Sequence, residues 1–269
     1  MTETVRHVES MLDDSPVVDV TPTFHAWQTL LAELKAKIDA RFALTLDPST
    51  RELATFGNPP ESPGGSLQAY TGPEVDWMVH SWLGNPTASF ANLHLTVWLG
   101  PQIRVPHLGI ALLVWPEGWF FVDSVPRTQL LADGDYYDRY YAPLEKDWLR
   151  IRQEYDKLAW FTSPTGFIRG SLSPTAYCYS MPTTDDYLEL VRELTHAHVD
   201  RWLQWVDEAD EVPEDEQAAL AATDLEIRRN IAERDPANAL GVRYFGAETT
   251  DRLVRALWGG DREIPRPGA

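Results

Sequence analysis

The hydrophobic period of this 269-residue chain changes twice, and that predicts an α+β domain: a mainly antiparallel sheet with helices packed on both faces. Three observations carry the prediction. A helical stripe opens the chain, period-two segments joined by short Gly- and Pro-containing links fill its middle, and helical periods return towards its end.

From Thr23 to Phe42 the apolar residues Phe24, Trp27, Leu30, Leu31, Leu34, Ile38 and Phe42 recur at helical spacing, which marks one amphipathic helix. After the turn-rich "GNPPESPGG" the segments 66–72, 75–83, 89–99, 103–115 and 118–124 read as strands. Links this short leave no room for crossover helices, so the strands pair as a meander. In "FANLHLTVWL" one face is Ala91, Leu93, Leu95, Val97 and Leu99, a plain core, while the other is Phe90, Asn92, His94, Thr96 and Trp98.

A helix is expected from Pro143 to Trp160, followed by two short strands in and around "SPTGFIRGSLSPTAYC". Helices then follow at 184–206, about 214–233 and 248–258, with Thr249 or Thr250 as a cap for the last. Residues 1–22 read as an N-terminal extension, 23–260 as a single domain, and 261–269 as a flexible tail.

The net charge of −18 argues against nucleic acid and against anionic membrane surfaces as partners. No membrane-spanning run and no targeting segment is recognisable, so the cytoplasm is the expected compartment. Cys178 is the single cysteine; with neutral neighbours it reads as a small buried hydrophobe, and no metal site is expected. Motifs for dinucleotides, nucleoside triphosphates, zinc proteases and serine hydrolases are all missing. Eleven tryptophans, ten tyrosines and nine phenylalanines fit either a large aromatic core or a pocket for a flat conjugated ligand.

His80 and His94 fall on strands beside polar or aromatic neighbours, and each is a proton carrier if its face lines a cavity and a structural histidine otherwise; His107 follows Pro106 at a strand edge or bulge, which puts it at a pocket rim. His198 lies in an apolar helical stripe and reads as a hydrogen-bonded, half-buried side chain. Asp123, ending an apolar strand, and Asp235, standing before Pro236, both read first as turn or cap residues.

Taken together, "TSPTGFIRGSLSPTA", "DWMVHSWLGNPTASFANLHLTVWLGPQIRVPHLGI" and "RRNIAERDPANALGVRYFGAETTDRLVRAL" resemble the red chlorophyll catabolite reductase family over residues 25 to 258 or so. The resemblance implies the α/β/α sandwich of the ferredoxin-dependent bilin reductases, with a linear tetrapyrrole held between the sheet and the C-terminal helices. It implies electrons delivered singly by ferredoxin, no tightly bound cofactor, and protons supplied by buried acids. One acid of the family matches Asp235. The other, on a sheet strand after a Pro-His pair, falls at Ala111, and no acidic residue occurs between His107 and Trp115. His107 or His94 is then the candidate replacement donor.

With period two in "GFIRGSL", Phe167, Arg169 and Ser171 would share a face and bind the ligand, Arg169 pairing with an acidic substituent; an ion pair with a helix carboxylate is the other reading. His80 and Trp98 complete the expected substrate contacts. Arg150, Arg152 and Lys157 are the one basic cluster suited to a ferredoxin. A bacterial relative is expected, and a homodimer is left open. Two other readings stand beside the reductase: an enzyme of specialised metabolism with a different substrate, and a pigment binder without catalysis.

Overall fold

The computed structural model describes residues 17–259 apart from 60 and 89, so the expected tail at 261–269 and nearly all of the N-terminal extension lie outside the described residues. Eight strands form one sheet: β1 (Thr45–Leu46), β2 (Gly64–Thr71), β3 (Val75–Asn85), β4 (Phe90–Leu99), β5 (His107–Val114), β6 (Gly118–Val125), β7 (Ala159–Trp160) and β8 (Tyr177–Met181). Their order is β1-β2-β3-β4-β5-β6-β8-β7, and every pair is antiparallel. Among the described residues the α-helices are α1 (Thr21–Arg41), α2 (Gly134–Tyr140), α3 (Ala142–Glu154), α4 (Gly166–Ser171), α5 (Asp185–Asp207), α6 (Glu214–Arg234) and α7 (Asn238–Trp258).

Alternation along the strands decides which layer each helix joins. Leu93, Leu95 and Val97 of β4, Leu108, Ile110 and Leu112 of β5, and Phe120 and Val122 of β6 point to one side, where α1 and α5 bury Trp27, Leu31, Leu34, Val191 and Trp202 against them. Each of these core side chains is almost wholly removed from water, and this face holds most of the apolar burial. On the other side α7 sets Leu253 and Ala256 over Leu67, Ala69, Trp77 and Val79, and the Trp77 indole donates to the Ala256 carbonyl at 2.9 Å. The expected α+β sandwich is therefore present, with the sheet between two helical layers.

Several local expectations are corrected. The helix expected from Pro143 to Trp160 stops at Glu154; a separate short helix precedes it, and Ala159–Trp160 is a strand. The helix expected at 248–258 is present as the part of Asn238–Trp258 that follows a break at Gly246, whose φ of 79° no side-chain-bearing residue adopts cheaply, and a further helical stretch from Asn238 precedes that break. The segment "GFIRGS" is a helix and not a strand. Its physical reason is capping: the Thr165 hydroxyl accepts from the Ile168 amide, while the Ser163 hydroxyl accepts from the Thr165 amide at 3.3 Å. The second Ser-Pro-Thr makes the same turn, with the Thr175 amide donating to the Ser173 hydroxyl at 3.3 Å. The repeat is a pair of side-chain turns bracketing one short helix.

Candidate functional site

The two faces of the sheet differ in how they are covered. Opposite the core, the floor between α6, α7 and α4 is built from rungs that run across the strands. Ser81 faces His94, which faces Ala111, Phe121 and Cys178 in turn. The next rung is Val79, Thr96, Gly109 and Asp123, and on the other side lie Leu83, Asn92, Leu113, Trp119 and Ser180. Asn92, His94, Thr96, Trp119 and Phe121 are only half-buried, whereas their strand neighbours on the core side are closed off. We take this half-buried strip between the helices as the candidate cleft; its floor is polar and aromatic, the residue types that a ligand site uses. Tyr244 of α7 packs on Phe90 at one end, with ring centroids 4.5 Å apart.

His94 occupies the middle of the floor. Burial pushes its pKa down to about 4, so the imidazole is neutral; its Nδ1 lies 3.4 Å from the Ser81 hydroxyl. A neutral imidazole accepts a proton at one nitrogen and gives one from the other, which suits a relay. Asp235 terminates α6 where Pro236 forbids its continuation, in the turn that joins the two roof helices. Its Oδ1 accepts the Ala237 amide at 2.9 Å, a capping bond, and burial raises its pKa above the ordinary carboxylate value. Both descriptions of Asp235, a cap and an acid inclined to keep its proton, hold together.

The structure does not bring the remaining sequence candidates into the open cleft. His80 pairs with Leu95 in register and so faces α1, on the opposite side of the sheet from His94. His107 lies on the cleft side but at the end of the sheet, 2% exposed, where Nδ1 accepts the Leu99 amide at 3.0 Å and Nε2 stands 3.2 Å from Asp224. Burial and the nearby Arg127 charge hold its pKa down at about 4. Trp98 is buried beside it, with ring centroids 4.7 Å apart, and the Arg228 guanidinium covers its other neighbourhood at 5.6 Å. Both residues belong to a buried ionic cluster and not to an exposed wall.

With "GFIRGS" helical, Phe167, Arg169 and Ser171 no longer share a strand face. Arg169 is exposed and donates to the Ser163 and Pro164 carbonyls at 2.9 and 3.1 Å, closing its own loop. Phe167 is exposed under the Arg234 guanidinium, and the Ser171 hydroxyl donates to the Ile168 carbonyl. The basic cluster is also modified: Arg150 lies between Asp147 and Glu154, and Arg152 lies over the Trp160 and Tyr179 rings. Cys178 is buried and its thiol is pushed up to about 12, which suits a small hydrophobe. Among the described residues no three His, Cys, Asp or Glu side chains converge as a metal site.

A family model described as red chlorophyll catabolite reductase (RCC reductase) matches residues 26–258. The chain belongs to the red chlorophyll catabolite reductase family. The red chlorophyll catabolite reductase of Hordeum vulgare is 26% identical over 197 residues, covering 68% of this chain and 96% of that protein. The structure of phytochromobilin synthase from tomato in complex with biliverdin resembles this one with a TM-score of 0.75, at 12% identity, over 89% of this chain and 85% of that one. At that identity the likeness concerns the fold, which is that of a bilin reductase.

In this member of the RCC reductase family, sequence reasoning missed the buried cluster that fastens the roof to the sheet. Arg127, with a side chain fully out of water, donates to Asp224 of α6 at 2.5 and 3.1 Å and to the carbonyls of Ile103 and Gly100. Arg228, one turn further along α6, reaches Asp76 at 2.9 Å. The one available signal was Asp224 and Arg228 at helical spacing, which says that they share a helix face but neither that the face is buried nor what it meets.

Proposed function

We propose that this protein is an oxidoreductase that reduces a linear tetrapyrrole, or a flat conjugated molecule of the same shape, lying on the sheet beneath α6 and α7. The observation that carries the reading is the half-covered floor of Asn92, His94, Thr96, Trp119 and Phe121, in a chain of the RCC reductase family with a bilin reductase fold. Aromatic side chains offer faces for stacking on a conjugated ligand, and the polar ones meet its heteroatoms. Electrons arrive one at a time from an external donor of the ferredoxin type, so the protein's own task is to hold the ligand and move protons. Asp235 serves as donor because burial favours its neutral form, and a donor must carry the proton before the electron comes. His94, neutral and central, assists in passing the proton.

The experiment is an anaerobic absorbance assay with a ferredoxin reducing system and a panel of bilins including biliverdin. Bleaching or shifting of the bilin band is expected, and Asp235→Asn should bind the same bilin but turn it over at least ~100-fold more slowly. A protein that neither binds nor changes any bilin of the panel would remove this reading and leave an enzyme of another substrate. Bilin binding without turnover under every donor tried would leave a pigment binder.

A further inference from the structure

The cleft floor carries a carboxylate that the roof acid and the histidines do not account for. Asp123 lies within β6, two residues before its end, on the same side as Phe121 and Trp119. It is 1% exposed. Its Oδ2 accepts the Ser173 amide at 2.9 Å, whereas Oδ1 meets no hydrogen-bond partner among the described residues. The reading of Asp123 as a simple turn residue leaves that second oxygen unexplained, since one acceptor suffices to hold the Ser173 turn.

The surroundings favour a neutral acid. Among the described residues no cation acts on Asp123, and an ionised carboxylate held by neutral donors alone is costly to bury. Burial accordingly raises its pKa to about 6. Across the strand pair stands Gly109, which has no side chain to cover the carboxyl; the half-exposed Phe121 ring rests there instead, 3.1 Å from where a Cβ would be. The acid therefore sits beside the aromatic edge of the cleft. The other floor positions, Ser81, Asn92, His94, Thr96, Ala111 and Leu113, carry no carboxylate.

We propose that Asp123 is a second proton donor of the cleft, giving its proton from Oδ1 to the bound tetrapyrrole from the sheet side. This rests on the functional reading above and extends it to a residue within the floor. An external iron–sulfur protein adds one electron to the ligand, forming a radical anion. The O–H bond of the Asp123 carboxyl breaks as a bond from that hydrogen to the ligand forms, leaving a carboxylate and a neutral radical. A second electron, with a second proton from the Asp235 side, completes a two-electron, two-proton reduction, and solvent reprotonates both acids.

Asp123→Asn tests this, because the amide keeps the shape and its carbonyl still accepts from Ser173. Asp123→Ser, a smaller polar replacement, is a second variant with the same expectation. Biliverdin binding is measured by absorbance titration, and reduction by anaerobic single turnover with reduced ferredoxin while the radical is followed by electron paramagnetic resonance. The expected result is a dissociation constant within ~3-fold of wild type, a rate lowered by roughly 100-fold or more, and a radical that persists. In the ligand-free protein at pH 5, an infrared band of a protonated carboxyl should be lost with the substitution. Wild-type rates in both variants, loss of biliverdin binding in both, or no such band would each overturn the donor role. A wild-type protein inert towards every bilin is a different failure, visible before any variant is made, and it removes the functional reading together with the role built on it.

Discussion

A buried acid that keeps its proton weakens the fold whenever it is forced to ionise, and this makes Asp123 measurable without any ligand. Its pKa rises from 3.8 to about 6 on folding because burial penalises the charged form. The folded state thus binds the proton more tightly than the unfolded one. The contribution is intact below the unfolded value and is lost as pH rises through the folded value. Two pH units correspond to roughly 3 kcal/mol. Asparagine is neutral throughout and suffers no such loss. The stability of Asp123→Asn relative to wild type should therefore increase by about 2.5 kcal/mol between pH 4 and pH 7, slightly less than the full value because pH 4 still lies just above the unfolded pKa, whatever the offset at pH 4. Buried His107 and His198, both held near 4 by burial, act in the opposite sense, losing stability as pH falls from 6.5 towards 4. They are present in both proteins and cancel in the difference. Urea denaturation at the two pH values measures it. A difference that stays flat, or one that favours wild type at pH 7, would mean that the carboxylate is held ionised by Ser173 and that the reasoning about its neutral state is mistaken.

Two further outcomes follow from the ionic cluster and the short helix. Asp224→Asn leaves the wholly buried Arg127 guanidinium without its counter-charge and should cost about 3–5 kcal/mol in urea unfolding, whereas replacing Arg127 and Asp224 together by Met and Leu should cost much less. Arg169→Ala removes only exposed bonds to the Ser163 and Pro164 carbonyls, so melting and bilin titration should show less than ~1 kcal/mol of destabilisation and unchanged affinity.

The layers were legible in the sequence because burial imposes a period, and β4 shows it most plainly: the alternation of Leu93, Leu95 and Val97 against Asn92, His94 and Thr96 is the division between core and cleft. The error at "GFIRGS" has an equally local cause. Six residues hold fewer than two helical turns, too few for a period to declare itself, and the outcome was decided by the flanking Thr165 cap. His80 looked equivalent to His94 because a strand's own pattern distinguishes its two faces without saying which helix covers each. The antiparallel register of β3 on β4 sets His80 beside Leu95 and turns it towards α1. The Arg127–Asp224 contact joins residues 97 apart in the chain, and no local pattern announces a partner at that range. Asp123 was visible as a carboxylate at the end of an apolar run, but its free oxygen depends on which loop crosses it.

The unequal covering of the two sheet faces has an evolutionary consequence. The side packed by α1 and α5 carries most of the apolar burial, so the frame does not depend on the identity of the residues at Asn92, His94, Ala111 or Phe121. Such positions are free to drift towards new chemistry while the scaffold persists, provided that the core keeps its volume.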